Sequence, residues 1–338
     1  MKNIFVTGGA GFIGSAFVRL VLEEDSDVEI INFDALTYAG NLDNLQGLDE
    51  TRHKFVKGDI CNKEQVFNAL PKNTEAIFNF AAESHVDRSI NSASEFVLTN
   101  VLGTQILLDA ARAKNVRRFV QISTDEVQGS LPDDSDLFFT EESPLQPNSP
   151  YAASKAAAEH FVRAAHETFG VDTIITRCGN NYGPRQFPEK LIPLMISNAM
   201  HDEPLPIYGD GKNVRDWIFV EDHCRAIRLA YKQGKSGESY NIGARNERQN
   251  IEVVKSILDA LGKPHSLIKF VKDRLGHDRR YAIDAAKVET ELGWKPQTNW
   301  EEGLQKTINW YREKQDWVNR IRNGAYRDYY EKQYGKLV

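Results

Sequence analysis

The 338-residue chain reads as an α/β protein, a Rossmann-type doubly wound parallel sheet with a smaller mixed α/β domain beside it. Three observations point there. Apolar runs of strand length alternate with helical patterns through the first half of the chain, the mark of parallel β-α-β units. The first run is followed at once by Gly8-Gly9-Ala10-Gly11-Phe12-Ile13-Gly14, and the second closes on Asp34, twenty residues beyond Gly14. After Cys178 the texture shifts to shorter segments broken by Pro184, Pro188, Pro193, Pro204, Pro206, Gly209 and Gly211.

Taken in order, the apolar runs predict strands over Ile4–Thr7, Glu29–Phe33, Lys54–Val56, Ala76–Phe80, Arg118–Ile122 and Thr173–Thr176. The 3.6-residue spacing between them predicts helices over Gly14–Glu24, Lys63–Leu70, Glu95–Ala113 and Tyr151–Phe169. Phe219–Tyr231 and Ser239–Ile242 look regular again. A chain of this length exceeds what one hydrophobic core usually serves. We therefore divide it into a first domain, residues 1–178 with 219–243 returning to it, and a second formed by 179–218 and 244–338. The Tyr- and Lys-rich end from Ala325 reads as a loosely held tail.

The glycine spacing describes a cofactor site. It allows a tight strand-to-helix turn, close approach of a pyrophosphate to the backbone, and helix N–H groups directed at the phosphates. A carboxylate ending the second strand accepts a hydrogen bond from the ribose 2′-OH of NAD and repels the 2′-phosphate of NADP, so Asp34 marks the cofactor as NAD.

Composition narrows the partners. The 42 Lys and Arg against 48 Asp and Glu leave a net charge of −6, which exerts no general pull toward nucleic acid or a membrane surface. Any anionic ligand must then be held by a few placed arginines. The chain opens on a strand pattern rather than a charged-then-apolar leader, and no apolar run nears the roughly 20 residues that span a bilayer; a cytoplasmic protein is expected. Cys61, Cys178 and Cys224 lie far apart without metal-ligand spacing, so unpaired thiols that serve packing are expected, and no metal.

The second constellation is Tyr151-Ala152-Ala153-Ser154-Lys155. Residues at i and i+4 share a helical face, so the Lys155 ammonium can lower the phenol pKa of Tyr151 and provide a base for a hydroxyl proton as hydride leaves the same carbon.

With these motifs the chain resembles the extended short-chain dehydrogenase/reductase family, in which the glycine turn, the YxxxK pair and a Ser or Thr after the fifth strand, here Ile122-Ser123-Thr124, form the working site. Asp125-Glu126 follows directly, where family epimerases usually carry small residues. Two adjacent carboxylates at a nicotinamide site imply acid and base work beyond hydride transfer. The resemblance sharpens to the dTDP-glucose 4,6-dehydratases over nearly the whole chain. It rests on Asp34-Ala35-Leu36-Thr37-Tyr38-Ala39-Gly40-Asn41, Ala81-Ala82-Glu83-Ser84-His85-Val86-Asp87-Arg88-Ser89, Ser123-Thr124-Asp125-Glu126, Ser149-Pro150-Tyr151 and Asn180-Asn181-Tyr182-Gly183-Pro184. Further matches are Pro188-Glu189-Lys190-Leu191-Ile192-Pro193, Tyr208-Gly209-Asp210-Gly211, Val214-Arg215-Asp216-Trp217 and Asp273-Arg274-Leu275-Gly276-His277-Asp278-Arg279-Arg280-Tyr281. One departure is Gln128, where the family pattern has tyrosine; it bears on the shape of the pocket beside the acid pair.

That resemblance implies a redox-neutral hydro-lyase that turns dTDP-glucose into the 4-keto-6-deoxy sugar nucleotide of rhamnose-type pathways. Tyr151, supported by Lys155, would take the O4 proton while NAD takes the C4 hydride. Glu126 would remove the C5 proton, Asp125 would protonate the departing O6, and Thr124 would bind O4. Gly8, Gly11, Phe12, Ile13, Gly14, Asp34, Leu36, Thr37, Asp59, Ile60, Ala81, Ala82, Ser84, Thr99, Tyr151, Lys155 and Asn181 match cofactor positions. Ser84, Thr124, Asn180, Lys190, Leu191, Pro206, Tyr208, Arg215, Asn250, Arg274 and His277 match positions that hold the sugar nucleotide, the second domain being the sugar-nucleotide-binding one. Arg215 and Arg274 suit the diphosphate, because guanidinium forks match phosphate oxygens. A homodimer through the helices at Glu95–Ala113 and Tyr151–Phe169 is also implied. Two alternatives stand beside this one: a UDP-glucose dehydratase or another sugar-nucleotide epimerase or decarboxylase, and a catalytically silent NAD-binding scaffold.

Overall fold

A computed structural model describes residues 1–133 and 136–322; the tail expected from Ala325 lies outside the described residues. The strands are β1 (Lys2–Thr7), β2 (Val28–Asp34), β3 (His53–Lys57), β4 (Ala76–Asn79), β5 (Arg118–Thr124), β6 (Thr173–Cys178), β7 (Asn180–Tyr182), β8 (Leu205–Tyr208), β9 (Val214–Phe219), β10 (Ser239–Ile242), β11 (Glu247–Gln249) and β12 (Ile268–Val271). The helices are α1 (Phe12–Glu24), α2 (Lys63–Ala69), α3 (Val86–Asn91), α4 (Ser94–Phe96), α5 (Thr104–Ala113), α6 (Pro150–Phe169), α7 (Leu191–Met200), α8 (Val220–Gln233), α9 (Asn250–Leu261), α10 (Ala286–Leu292), α11 (Trp300–Glu313) and α12 (Gln315–Arg322).

Seven strands form one parallel sheet in the order β10-β6-β5-β4-β1-β2-β3. Because successive strand residues point to opposite faces, each strand feeds two cores. Ile4 and Val6 pack with Phe17, Val18, Ile227 and Ala230 of α1 and α8. Phe5 turns the other way, to Val66, Leu107, Val162 and Ala165 of α2, α5 and α6. Each fully buried phenylalanine of these cores, such as Phe5, Phe17 and Phe119, contributes roughly 1.5–3 kcal/mol of burial. The continuous apolar runs read from the sequence are those of strands covered on both faces.

The remaining strands make two small sheets, β11-β9-β7 and β12-β8. They surround a third core, in which Ile192, Met195, Val254, Ile257, Trp300, Ile308 and Tyr311 bring α7, α9 and α11 together. The strand β10 joins the large sheet beside β6, and α8 packs against α1.

Most boundaries shift by a few residues from the sequence expectation, and three differences bear on the site. Helix α1 starts at Phe12, not Gly14, because Gly11 serves as its N-cap. Strand β5 runs on through Ser123 and Thr124, so the working threonine ends the strand rather than following it. The helix expected over Glu95–Ala113 contains a π-helical stretch at Val97–Gly103. Gly103 sits there against Ile60, where a Cβ would lie 2.5 Å from the Ile60 Cδ1.

Candidate active site

In the sheet order, the sequence of strands turns from one side to the other between β1 and β4, which run parallel, and the carboxyl ends of strands at such a point frame a crevice. A cavity lies there, walled by residues that follow β1, β2, β4, β5 and β6. Gly8 adopts φ +68°, and a Cβ on it would lie 2.6 Å from the Ala81 backbone nitrogen; one on Gly14 would lie 2.3 Å from the Gly8 carbonyl oxygen. Only glycine fits either place. No side chain caps α1, and Gly8, Gly11, Phe12, Ile13 and Gly14 all line the cavity, a cradle suited to a dinucleotide diphosphate.

Asp34 ends β2 at the cavity wall. Its Oδ2 accepts from the Ala10 N–H at 2.9 Å and its Oδ1 from the Leu36 N–H at 2.8 Å. Burial pushes its carboxyl above the ordinary value, and those two hydrogen bonds oppose the shift. Leu36 turns its N–H back by adopting φ +54°; it is absent from the cavity wall, whereas Thr37 is part of it. Asp59, Ile60, Ala81, Ala82, Ser84, Thr99 and Asn181 also line this cavity. The residues fit NAD.

Thr124, Asp125, Glu126, Tyr151 and Lys155 converge on the same wall. The Thr124 hydroxyl donates to Asp125 Oδ1 at 3.2 Å and accepts from the Glu126 N–H at 3.3 Å. Asp125 is 1 % exposed, and burial together with the neighbouring Glu126 charge drives its carboxyl well above the usual range. Glu126 keeps some surface open to the cavity. Burial raises its carboxyl too, but the charges of Arg274, Lys190 and Arg215 pull it back. Both carboxyls are thus raised by burial, but Asp125 also feels a neighbouring carboxylate, whereas Glu126 is offset by three cations.

Helix α6 begins sharply. The Ser149 hydroxyl accepts from the Ala152 N–H at 3.1 Å, with Pro150 in the first turn. Tyr151 and Lys155 follow on one face, both buried. The expected effect of the lysine is corrected here. Burial, then the charges of Glu126, Cys178 and Asp125, hold the Tyr151 phenol well above its usual value. The Lys155 ammonium donates to the Ile122 carbonyl at 2.6 Å, and burial pushes it down to about 8. In a dry wall, desolvation outweighs the attraction expected from helical spacing alone.

Of the residues expected to hold a sugar nucleotide, Ser84, Thr124, Asn180 and Lys190 line the cavity. Leu191 opens α7, Pro206 and Tyr208 lie in β8, and Asn250 opens α9; with Arg215, Arg274 and His277 they are absent from the cavity wall. Arg215 is 4 % exposed, not a solvated surface arginine. It donates to the carbonyls of Val214, Asp278 and Arg279 and stacks 4.2 Å from the Tyr281 ring centroid. Tyr208 and His277 meet edge to face at 6.1 Å. Gln128 donates to the Thr140 carbonyl at 2.6 Å and is absent from the cavity wall.

Residue-by-residue inspection missed Glu83, Ser123, Cys178, Gln186, Phe187 and Glu189, all of which line the cavity. Cys178 was expected only to pack. Its place at the end of β6, among strand ends that frame the crevice, was the available signal; burial pushes its thiol up to about 12. Among the described residues no group of His, Cys, Asp and Glu is arranged to hold a metal ion, and no helix is long and apolar enough to cross a membrane.

Known proteins share this fold. Residues 5–307 match the family described as GDP-mannose 4,6 dehydratase. A dTDP-glucose 4,6-dehydratase from Xanthomonas campestris pv. campestris is 50 % identical over 97 % of this chain and 98 % of its own length. One from Neisseria meningitidis is 51 % identical over 97 % and 98 %. The solved structure of DesIV, a dTDP-glucose 4,6-dehydratase from Streptomyces venezuelae with NAD and TYD bound, superposes with a TM-score of 0.92 at 50 % identity, covering 95 % of this chain and all of that one. The UDP-glucose 4-epimerase of Thermus thermophilus, with NAD, is 29 % identical at a TM-score of 0.85, covering 93 % of this chain and all of that one. At half identity along nearly its full length, with the acid pair directly after the fifth strand, the chain belongs to the dTDP-glucose 4,6-dehydratase family.

Proposed function

We propose that this protein is an NAD-dependent hydro-lyase converting dTDP-glucose to dTDP-4-keto-6-deoxyglucose in deoxysugar biosynthesis. The observation that carries the reading is the buried Asp125-Glu126 pair, with three cations offsetting Glu126, on the wall shared by the glycine cradle, Tyr151 and Lys155. NAD, when bound in the glycine cradle, would supply the acceptor and later the donor of hydride.

Tyr151 takes the O4 proton, with Lys155 holding α6 to β5 beside it and Thr124 aligning O4. The C4 carbonyl acidifies C5, and Glu126 removes that proton. Asp125, kept protonated by its dry site, gives its proton to the O6 hydroxyl, which leaves as water. Hydride return to C6 and reprotonation of C5 complete a reaction with no net oxidation. Lys190, Asn180 and Ser84 face the sugar, while Arg215 and Arg274 supply positive charge for the diphosphate.

The same reading divides the chain into a cofactor domain, 1–178 with 219–243, and a sugar-nucleotide domain, 179–218 with 244–338. It also makes the protein a cytoplasmic homodimer. Val97, Leu98, Leu102 and Phe161 are 41–53 % exposed on the packed helical pair formed by residues 94–113 and α6, an apolar face suited to a second copy.

The thymine methyl distinguishes dTDP-glucose from UDP-glucose, a contact worth about 1–3 kcal/mol. The test is kcat/KM for both substrates, read by the alkaline absorbance of the keto sugar. A clear preference for dTDP-glucose supports the reading. Preference for UDP-glucose changes the substrate, and no keto sugar from either overturns the proposal.

A further inference from the structure

Asp87, in the first turn of α3, has no step in the chemistry above, yet it is 6 % exposed and faces two residues of the sugar-nucleotide side. Its Oδ2 accepts from the Tyr208 hydroxyl at 3.0 Å, and its Oδ1 lies 3.5 Å from Arg274 Nη1. The segment that carries it is otherwise tied across the cleft. Lys190 donates to the Ser84 carbonyl at 2.8 Å, and Arg88 Nη2 lies 3.5 Å from Glu189 Oε2.

Tyr208 and Arg274 come from distant parts of the chain, the end of β8 and the loop after β12, and Asp87 is where both meet α3. The buried carboxylate orients the phenol by a hydrogen bond and the guanidinium by charge alone, its Oδ1 having no hydrogen-bond partner, and losing either pairing in a dry setting is costly. The Arg274 Nε is buried without a hydrogen-bond partner. With Nη1 held toward Asp87, that donor remains for a phosphate oxygen.

We infer that Asp87 is a positioning residue for substrate binding: it sets Tyr208 and Arg274 against α3 before the nucleotide arrives and acts only through them. The inference rests on the proposed dehydratase activity.

The test measures KM and kcat for dTDP-glucose in the NAD-loaded enzyme, for Asp87→Ala alone and in the Tyr208→Phe/Arg274→Ala background. Alone, Asp87→Ala is expected to raise KM about tenfold with kcat within about twofold. In the background variant it should change KM by less than about twofold, since coupled residues are not additive. If Asp87→Ala raises KM equally in both backgrounds, or leaves it unchanged in the native one, the inference fails. Asp87→Asn, closer in shape, gives the same comparison should the alanine variant not fold. A native enzyme that makes no keto sugar would instead sink the dehydratase reading itself.

Discussion

Lys155 donates its ammonium proton to the carbonyl oxygen of Ile122 at 2.6 Å, joining α6 to β5 two residues before Thr124. That bond sets the spacing of the proposed base, Tyr151, from the residues at the strand end. It also places the lysine where burial lowers its pKa to about 8.

Activity is therefore expected to fall along an alkaline limb near pH 8 as Lys155 loses its proton, while its contribution to stability moves the other way. The native pKa lies below the ordinary 10.5, so between the two values the unfolded chain binds the extra proton. The desolvation cost is full below about pH 8 and is relieved as pH rises through that window. In Lys155→Met both trends should vanish from pH profiles of kcat and of urea unfolding. An unchanged alkaline limb in that variant would assign it to another group.

The two carboxyls should fail differently. Glu126→Gln is expected to lower turnover by about 10²–10⁴-fold, to accumulate reduced cofactor on the enzyme, and to exchange little solvent deuterium into C5. Asp125→Asn should slow water loss yet permit C5 exchange through Glu126. Tyr151→Phe should abolish both signals. Native-rate exchange in Glu126→Gln without exchange in Asp125→Asn would reverse the two roles.

Much of this was legible in the sequence. Gly8, Gly11, Gly14 and Asp34 could be read because a tight turn, a close approach and a terminal carboxylate each demand one residue type at fixed spacing. Thr124, Asp125 and Glu126 followed once β5 was placed. The state of Tyr151 could not be read from helical spacing, since it depends on how dry the wall is and on charges from distant segments. The Asp87, Tyr208 and Arg274 contacts escaped for the same reason: they join residues whose proximity only the folded chain creates.

On the proposed reading, cofactor choice follows from Asp34, whose carboxylate is held in place by the Ala10 and Leu36 N–H groups. Apo-protein reconstituted with NADP should show little activity beside NAD. Equal activity with both would mean that Asp34 does not face the ribose.

Gln128 donates to the Thr140 carbonyl and is absent from the cavity wall. Gln128→Tyr should leave the product unchanged and alter KM or rate within about tenfold. A changed product would show that this position shapes the sugar site; inactive native protein rescued by the substitution would favour the scaffold reading.

The central claim is that oxidation at C4, loss of water and reduction at C6 occur on one enzyme with no net redox change. It is tested most directly by following deuterium from dTDP-glucose labelled at C4. The account predicts a product lighter by one water that carries the deuterium at C6, with no reduced cofactor released. Deuterium retained at C4 of an epimeric sugar, or release of stoichiometric reduced cofactor with an oxidised sugar, would contradict it.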